Sequence, residues 1–151
     1  MNERPIPDLK ATEAYFHREI PITAAMGIRV ESYDASRLVL AAPLDLNHNH
    51  LGTAFGGSIA AVATLAGYGF LWLELADSKI HLVVRDSHIT YRRPVRREIR
   101  AICHRPPAEE MEHFRALLQR QQRSRVRLRV TVEEDGEVAA ELEGTFVALA
   151  D

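Results

Sequence analysis

The sequence is short of cysteine and of net charge: among its 151 residues it has one cysteine, Cys103, and a formal net charge of −2. A single cysteine excludes an internal disulfide and is typical of a reducing compartment, so we expect a cytoplasmic location. The near balance of charges gives no general attraction to nucleic acid, and no nucleic-acid partner is expected. The first segment, MNERPIPDLKATEAYFHRE, has both signs of charge and no apolar core, which argues against a secretory signal peptide.

No repeat, linker or low-complexity tract interrupts the chain, so a single domain over residues 1–151 is expected. Helices are predicted at about 8–19, 56–76 and 108–121, the first with Asp8 as its N-cap and Pro21 as its terminator. Short apolar or alternating runs predict strands at 28–33, 38–42, 80–91, 99–103, 126–132 and 138–149.

The second helix lacks a polar face, because Ile59 to Leu73 contains no polar residue except Thr64 and Tyr68. A helix that is apolar on every side needs a cover on every side. The run is shorter than the roughly 20 residues that cross a bilayer and is followed closely by Glu74, so we expect a core helix and no membrane partner. We therefore predict an α+β fold in which a curled antiparallel sheet wraps around this helix.

The last two strands allow a prediction of register. A three-residue loop between them sets Arg129 opposite Glu141 and Arg127 opposite Glu143, whereas a two-residue loop would set Val130 opposite Glu141. The longer loop keeps one face apolar, so it is the prediction. The arginine-rich run RSRVRLR then forms a cross-strand charge ladder, and a phosphate-binding patch remains the alternative.

The segment Asn47 to Ser58, NHNHLGTAFGGS, resembles the signature of the "putative thioesterase" family of YiiD C-terminal type, within the hotdog superfamily. The resemblance extends to IPITAAMGI, SHITYRRPV and the helix at about 108–121. It implies a hotdog fold and an acyl-thioester hydrolase that uses no cofactor and acts on an acyl-CoA or an acyl-carrier-protein. It also implies a homodimer, or a dimer of dimers, in which the 80–91 strands of two subunits pair.

The glycines at the start of the central helix suit this chemistry. Backbone N–H groups at a helix N-terminus have no partner within the helix, and such donors stabilise the oxyanion that forms when a thioester carbonyl is attacked. We expect the N–H of Gly57 to be the donor and Gly56 to clear the path, while a tight turn without a functional role is the alternative. By position, the resemblance assigns Asn49 to orienting the water or the carbonyl, with Asn47 as a loop cap.

The sequence departs from related hotdog thioesterases at two positions. Phe55 replaces a histidine, and Thr64 replaces an acidic residue on the central helix. Thr64 could position a water, act as a nucleophile if activated, or bond back to the backbone. The residues expected to line the substrate site are Phe55, Gly56, Ser58, Ser87 and Tyr91. For Ser87 and Tyr91 the reason is that the apolar Ile89 shares their face of the strand, which indicates that this face looks at the helix.

Two other groups of residues could bind ligands, and the function itself has an alternative. His48 and His50 have no third candidate ligand at a sequence spacing typical of metal sites, so no metal site is predicted. The Arg92, Arg93, Arg96 and Arg97 cluster either meets coenzyme A phosphates or forms a solvated strand end. Because the helix acid and the turn histidine are both missing, a non-catalytic acyl-thioester-binding module is the alternative function.

Overall fold

The structure, a computed structural model, describes residues 6–151. This part of the chain has six strands, four α-helices and one 3₁₀ turn, Leu44–Leu46. The helices are α1 (Leu9–Glu19), α2 (Ile22–Ala25), α3 (Gly56–Leu75) and α4 (Ala108–Gln121). The strands are β1 (Arg29–Tyr33), β2 (Arg37–Ala42), β3 (Ile80–Tyr91), β4 (Ile99–His104), β5 (Arg123–Glu134) and β6 (Glu137–Ala150). All the paired strands are antiparallel, in the order β1-β2-β4-β5-β6-β3.

The sheet curls around α3, which packs against five of the six strands, and this confirms the predicted α+β fold with a central apolar helix. The cover is not complete. Ala60, Ala61, Thr64 and Tyr68 share one face of α3 and are only half-buried. The stacked rings of Tyr15 and Trp72, 4.2 Å between centroids, cover the helix nearer its C-terminal end.

The central helix has about its predicted bounds, 56–76, and is longer than the apolar run Ile59 to Leu73 on which the argument against a membrane span rested. At 20 residues, α3 is long and apolar enough to cross a membrane by length and composition alone, so the length argument against a span does not hold. More than half of its most apolar window is nevertheless buried inside the fold, as in the core helix of a soluble protein. The packing of the sheet, rather than the length of the run, therefore supports the core-helix interpretation.

Glu74 lies inside α3 and not beyond its end, and its side chain is fully buried. Its carboxylate accepts hydrogen bonds from Tyr33, from Arg105 Nη1 at 2.6 Å and from Arg115 Nη2 at 2.9 Å. Burial raises the pKa of Glu74, but the hydrogen bonds from Arg105 and Tyr33 and the two guanidinium charges outweigh it and hold the pKa below its ordinary value. The cluster ties the end of α3 to β1, to the segment after β4 and to α4.

The β5–β6 hairpin corrects the predicted register. Its loop is the two-residue turn Asp135-Gly136, in which both residues have positive φ (54° and 75°). A bulge then skips Ala139 and restores the alternation that a two-residue loop would have broken. Thr131, not Arg129, therefore stands opposite Glu141.

The ion pairs predicted for this hairpin form across the diagonal. Arg129 Nε lies 2.7 Å from a Glu141 carboxylate oxygen, and Arg127 Nη2 lies 2.9 Å from one of Glu143. The residues directly opposite these arginines are Glu143 and Thr145. Diagonal neighbours are within reach of long side chains, so the charge ladder survives the change of register.

Candidate active site

The turn that starts α3, Phe55 to Ser58, carries backbone donors with no acceptor. Phe55 is the N-cap residue and makes no side-chain capping bond, and Ile59 is the first residue whose N–H reaches back, to Phe55 O at 3.0 Å. Within residues 6–151, the N–H groups of Gly56, Gly57 and Ser58 have no hydrogen-bond partner. Gly57 is exposed and its two neighbours are half-buried. The turn therefore presents donors and partial positive charge to whatever approaches.

Asn47 fixes the position of this turn. Its side chain is buried at 3% exposure and donates from Nδ2 to Met26 O at 2.9 Å and to Pro43 O at 2.8 Å. Its backbone carbonyl accepts the Phe55 N–H at 2.8 Å. Its Oδ1 is buried and has no partner among the described residues. Asn47 thus joins three segments at the start of α3, which is a larger structural role than the predicted loop cap.

Asn49 holds the loop that leads to the turn. Its Oδ1 accepts from the N–H groups of Leu51 at 2.8 Å and Thr53 at 3.2 Å, and its Nδ2 donates to Thr53 Oγ1 at 2.9 Å. An amide oxygen has two lone pairs, so this Oδ1 has no capacity left to accept from a water molecule. The second N–H of Nδ2 has no partner in the described part of the chain, so the side chain can still donate one hydrogen bond.

Two aromatic side chains flank the glycines. The Phe55 ring lies over Gly57 so closely that a Cβ on Gly57 would meet ring atom Cε1 at 2.5 Å, and this ring is 55% exposed. On the other side, Tyr91 at the end of β3 donates its hydroxyl to Gly56 O at 3.0 Å. The predicted residues Phe55, Gly56, Gly57 and Tyr91 are therefore brought together by the fold.

An apolar groove of about 450 Å³ runs along the half-buried face of α3. Thr64 lies in it, and its hydroxyl donates to Ala60 O at 2.8 Å, so only its lone pairs are available to a ligand. The groove is lined by residues from the α1–β1 region, α3, β3 and β6: Ile20, Ile22, Thr23, Met26, Ile28, Ala60, Ala61, Thr64, Leu65, Tyr68, Leu82, Val83, Val84 and Phe146.

Ser87 lies on β3 opposite Gly144 and is exposed, outside the groove as the described residues line it. A bulge at Arg85 shifts the alternation of β3, so Leu82 before it and Ile89 after it both pack on the core. Four residues of strand, about 13 Å, separate Ser87 from Tyr91. Within one chain, Ser87 is therefore well separated along β3 from Tyr91, the residue of this strand that contacts Gly56.

The arginines after β3 are paired with carboxylates. Arg92 lies 3.7 Å from Glu141 and Arg97 2.7 Å from Asp135, and Arg93 contacts Glu137. The backbone N–H groups of Arg96 and Arg97 donate to the Glu134 carboxylate. These contacts favour an ordered strand end over a free phosphate-binding cluster.

The remaining candidate ligands and nucleophiles lie outside this arrangement. His48 Nδ1 lies 2.9 Å from the carbonyl oxygen of Asn49, and residues 6–151 contain no group of three His, Cys, Asp or Glu side chains that could hold a metal ion. Burial raises the pKa of the Cys103 thiol, which keeps it protonated in the core.

The curled sheet, its central helix and the open glycine turn define the class of protein: a hotdog domain with a helix N-terminus open to ligand. The family described as "Putative thioesterase (yiiD_Cterm)" matches residues 9–150, and the chain belongs to that family. The family resemblance found in the sequence is thereby confirmed.

Solved structures with the same fold agree with this assignment. A protein of unknown function from Chlorobaculum tepidum TLS is 31% identical, with 94% of each chain covered and a TM-score of 0.87. A putative thioesterase from Shewanella oneidensis is also 31% identical, with 93% of this chain and 96% of that chain covered and a TM-score of 0.84. A thioesterase from Haemophilus influenzae, at 14% identity, TM-score 0.68 and coverage of 99% and 96%, shares the fold. Family and neighbours support thioester hydrolysis as the general activity.

Proposed function

We propose that this protein hydrolyses the thioester bond of an acyl-CoA or an acyl-carrier-protein, with the Gly57 N–H as the main oxyanion donor. The observation that carries the proposal is the row of N–H groups at Gly56, Gly57 and Ser58, which have no partner among residues 6–151 and of which Gly57 is exposed. Attack of water on a thioester carbonyl places negative charge on its oxygen. Donors fixed before the reaction stabilise that charge without reorganisation, and one such donor contributes roughly 3 kcal/mol.

The groove supports an acyl substrate. Gly57, Ala61, Thr64 and Tyr68 recur on one face of α3, so the apolar groove begins about one turn beyond the glycines. A chain of methylene groups laid in it would leave water at a gain of about 0.8 kcal/mol for each buried CH₂. The thioester would then sit at the glycine turn, with the CoA or carrier-protein end towards solvent.

Asn49 donates to the thioester carbonyl in this scheme. Its Oδ1 is saturated by Leu51 and Thr53, so it does not accept from the attacking water. The free Nδ2 hydrogen would add a second donor to the oxyanion, on the loop that precedes α3. Of the two roles predicted for Asn49, orienting the carbonyl is the one these contacts favour.

Thr64 accepts a hydrogen bond from the attacking water. Its own O–H is committed to Ala60 O, so it acts as an acceptor only and not as a nucleophile. Seven residues of helix place it about 10 Å from Gly57 in the same chain. That separation is too long for the two residues to act on one carbonyl within one chain, so each site combines Gly57 of one subunit with Thr64 of another.

The edge strand supports the required dimer. β3 has a sheet neighbour on one side only, and its Val83 and Val84 side chains are 50% and 43% exposed. An unpaired, apolar edge strand favours pairing with another copy of itself. Sedimentation should therefore give a mass of two 17.0 kDa chains, or a multiple of that dimer, and a monomer at micromolar concentration would refute the shared site.

The second candidate is a module that binds acyl-thioesters without hydrolysing them. It is favoured by one observation: no Asp or Glu lines the groove in the described part of the chain, so no carboxylate base lies beside Thr64. Such a module would use the same groove and the same glycine turn, with no water held for attack.

Release of free thiol from a panel of acyl-CoAs of increasing chain length separates the two candidates. We expect turnover by the wild-type protein, a loss in Asn49→Ala and in Thr64→Ala, and no loss in Gln119→Ala, an exposed amide on α4. Saturable acyl-CoA binding with no thiol release would establish the binding module instead. The same assay with acyl-carrier-protein substrates identifies the carrier.

A further inference from the structure

Tyr91 touches the peptide group that holds the proposed oxyanion donor. Its hydroxyl donates to Gly56 O at 3.0 Å, and the carbonyl of Gly56 and the N–H of Gly57 are the two ends of one planar peptide unit. In a trans peptide these two ends point in opposite directions. The phenol therefore sits at the carbonyl end, away from the position that a substrate oxygen would occupy.

The Gly56–Gly57 peptide has little else to orient it. Both residues are glycines, whose backbone dihedrals are weakly restricted, and the N-cap residue Phe55 makes no side-chain capping bond. Gly56 is the first residue of α3, so one lone pair of its carbonyl faces the N–H of the next turn. Tyr91 takes the second lone pair. The two bonds together fix the plane of the peptide, and with it the direction of the Gly57 N–H.

The same bond changes the strength of the donor. A carbonyl that accepts a second hydrogen bond is more polarised, and through the amide resonance its N–H becomes a stronger donor, by roughly a tenth to a third per bond. The Tyr91 ring packs in ordinary contact with Gly56, 3.5 Å from where a Cβ would be, so the phenol is seated against the turn. Bonds from Arg92 N and Arg93 N to Ala139 O hold the chain just beyond Tyr91.

We propose that Tyr91 is a positioning residue: it orients and polarises the Gly56–Gly57 peptide, so that the Gly57 N–H is aimed at the thioester oxygen. It acts through the peptide and not by contact with the substrate, which differs from the substrate-lining role predicted from the sequence. The inference rests on the proposed thioesterase function for its catalytic consequence. The hydrogen bond itself can be tested without turnover.

The kinetic test compares Tyr91→Phe with Gln119→Ala, a change at an exposed amide on α4. A neutral hydrogen bond that matters mainly in the transition state changes a rate roughly threefold to tenfold. We expect Tyr91→Phe to lower kcat by that factor with KM within twofold and the thermal midpoint unchanged, and Gln119→Ala to retain kcat. An unchanged kcat in Tyr91→Phe, or a rise in KM with kcat intact, would overturn the inference.

The second test needs no substrate. With ¹⁵N-glycine labelling the chain gives signals from only eight glycines. Removal of the Tyr91 hydroxyl should move the Gly57 amide proton upfield, because its peptide is less polarised, while the exposed turn residue Gly136 stays in place. A Gly57 signal that does not move overturns the inference, whatever the kinetics show. A signal that moves in a protein that releases no thiol supports the positioning role and refutes the proposed hydrolase instead.

Discussion

Arg105 donates two hydrogen bonds to the buried carboxylate of Glu74, from Nη1 at 2.6 Å and from Nη2 at 2.5 Å. Arg115 and Tyr33 also donate to this carboxylate, whose side chain has no exposed surface. A buried ion pair of this kind is weak support for stability as a whole, but removal of one partner leaves the others uncompensated. The pair lies at the C-terminal end of α3, remote from the glycine turn, so it allows a prediction about stability that does not involve the candidate active site.

Glu74→Gln should lower the free energy of unfolding by about 2 kcal/mol or more, because two half-buried guanidinium groups lose their counter-charge. Urea unfolding at neutral pH measures the change. Glu112→Gln, an exposed residue on α4, is the matched control and should stay within about 0.5 kcal/mol of wild type. Equal midpoints for the two variants would mean that the cluster does not support the fold.

The same carboxylate gives a prediction of pH dependence. The folded-state pKa of Glu74 lies below its ordinary value of 4.5, so its contribution to stability is fully present above that value. The contribution is lost as the pH falls from 4.5 through the lower folded pKa. The stability difference between wild type and Glu74→Gln should therefore be constant above about pH 5.5 and shrink on acidification. A stability difference that grows as the pH falls would have the opposite sign and would contradict the pairing of the Glu74 carboxylate with Arg105 and Arg115.

Gly57→Ala should reduce hydrolysis with the fold intact. The new Cβ would meet the Phe55 ring at 2.5 Å, but this ring is exposed and can rotate away. The rotated ring would then cover the backbone N–H donors. The double variant Phe55→Ala, Gly57→Ala should regain part of the lost kcat/KM, because neighbouring residues couple. Gly56→Ala, whose Cβ would lie at an ordinary 3.5 Å from Tyr91, should cost less. Strict additivity of the two changes would show that the Phe55 ring is not involved.

Asn49→Asp distinguishes donation to the substrate from support of the loop. Aspartate keeps an oxygen for the N–H groups of Leu51 and Thr53, so the loop is retained, but it removes the Nδ2 donor and adds a negative charge. We expect a loss of kcat of at least tenfold, as in Asn49→Ala, with an unchanged thermal midpoint. If Asn49→Asp keeps full activity and only Asn49→Ala loses it, the residue serves the loop alone.

Sequence patterns predicted the bounds of those helices whose ends are marked by a local signal such as glycine or proline. The central helix begins at the glycine turn, and α4 begins directly after Pro106-Pro107. The hairpin register could not be predicted in this way, because the bulge at Ala139 is held by the backbone of Arg92 and Arg93, more than 40 residues away. A bulge that depends on a distant segment leaves no local trace in the alternation.

The part of the candidate site that could be predicted from the sequence is the part formed by backbone N–H groups. The glycine turn can be recognised from the local sequence alone, and in the structure its N–H groups have no partner among residues 6–151. The Glu74 cluster was missed because Tyr33, Arg105 and Arg115 lie 31 to 41 residues from it in sequence. One signal was present: Glu74 follows Phe70 and Leu71 at helical spacing, so it falls on the buried face of an apolar helix and requires partners there.

The most direct test of the account is the rate of thiol release after the Gly57 N–H alone is replaced by an ester oxygen through a backbone amide-to-ester exchange. If this N–H stabilises the oxyanion, kcat for the best acyl thioester should fall by roughly 10² to 10³ with the fold and substrate binding retained. An exchanged protein that releases thiol at the wild-type rate would contradict the central claim.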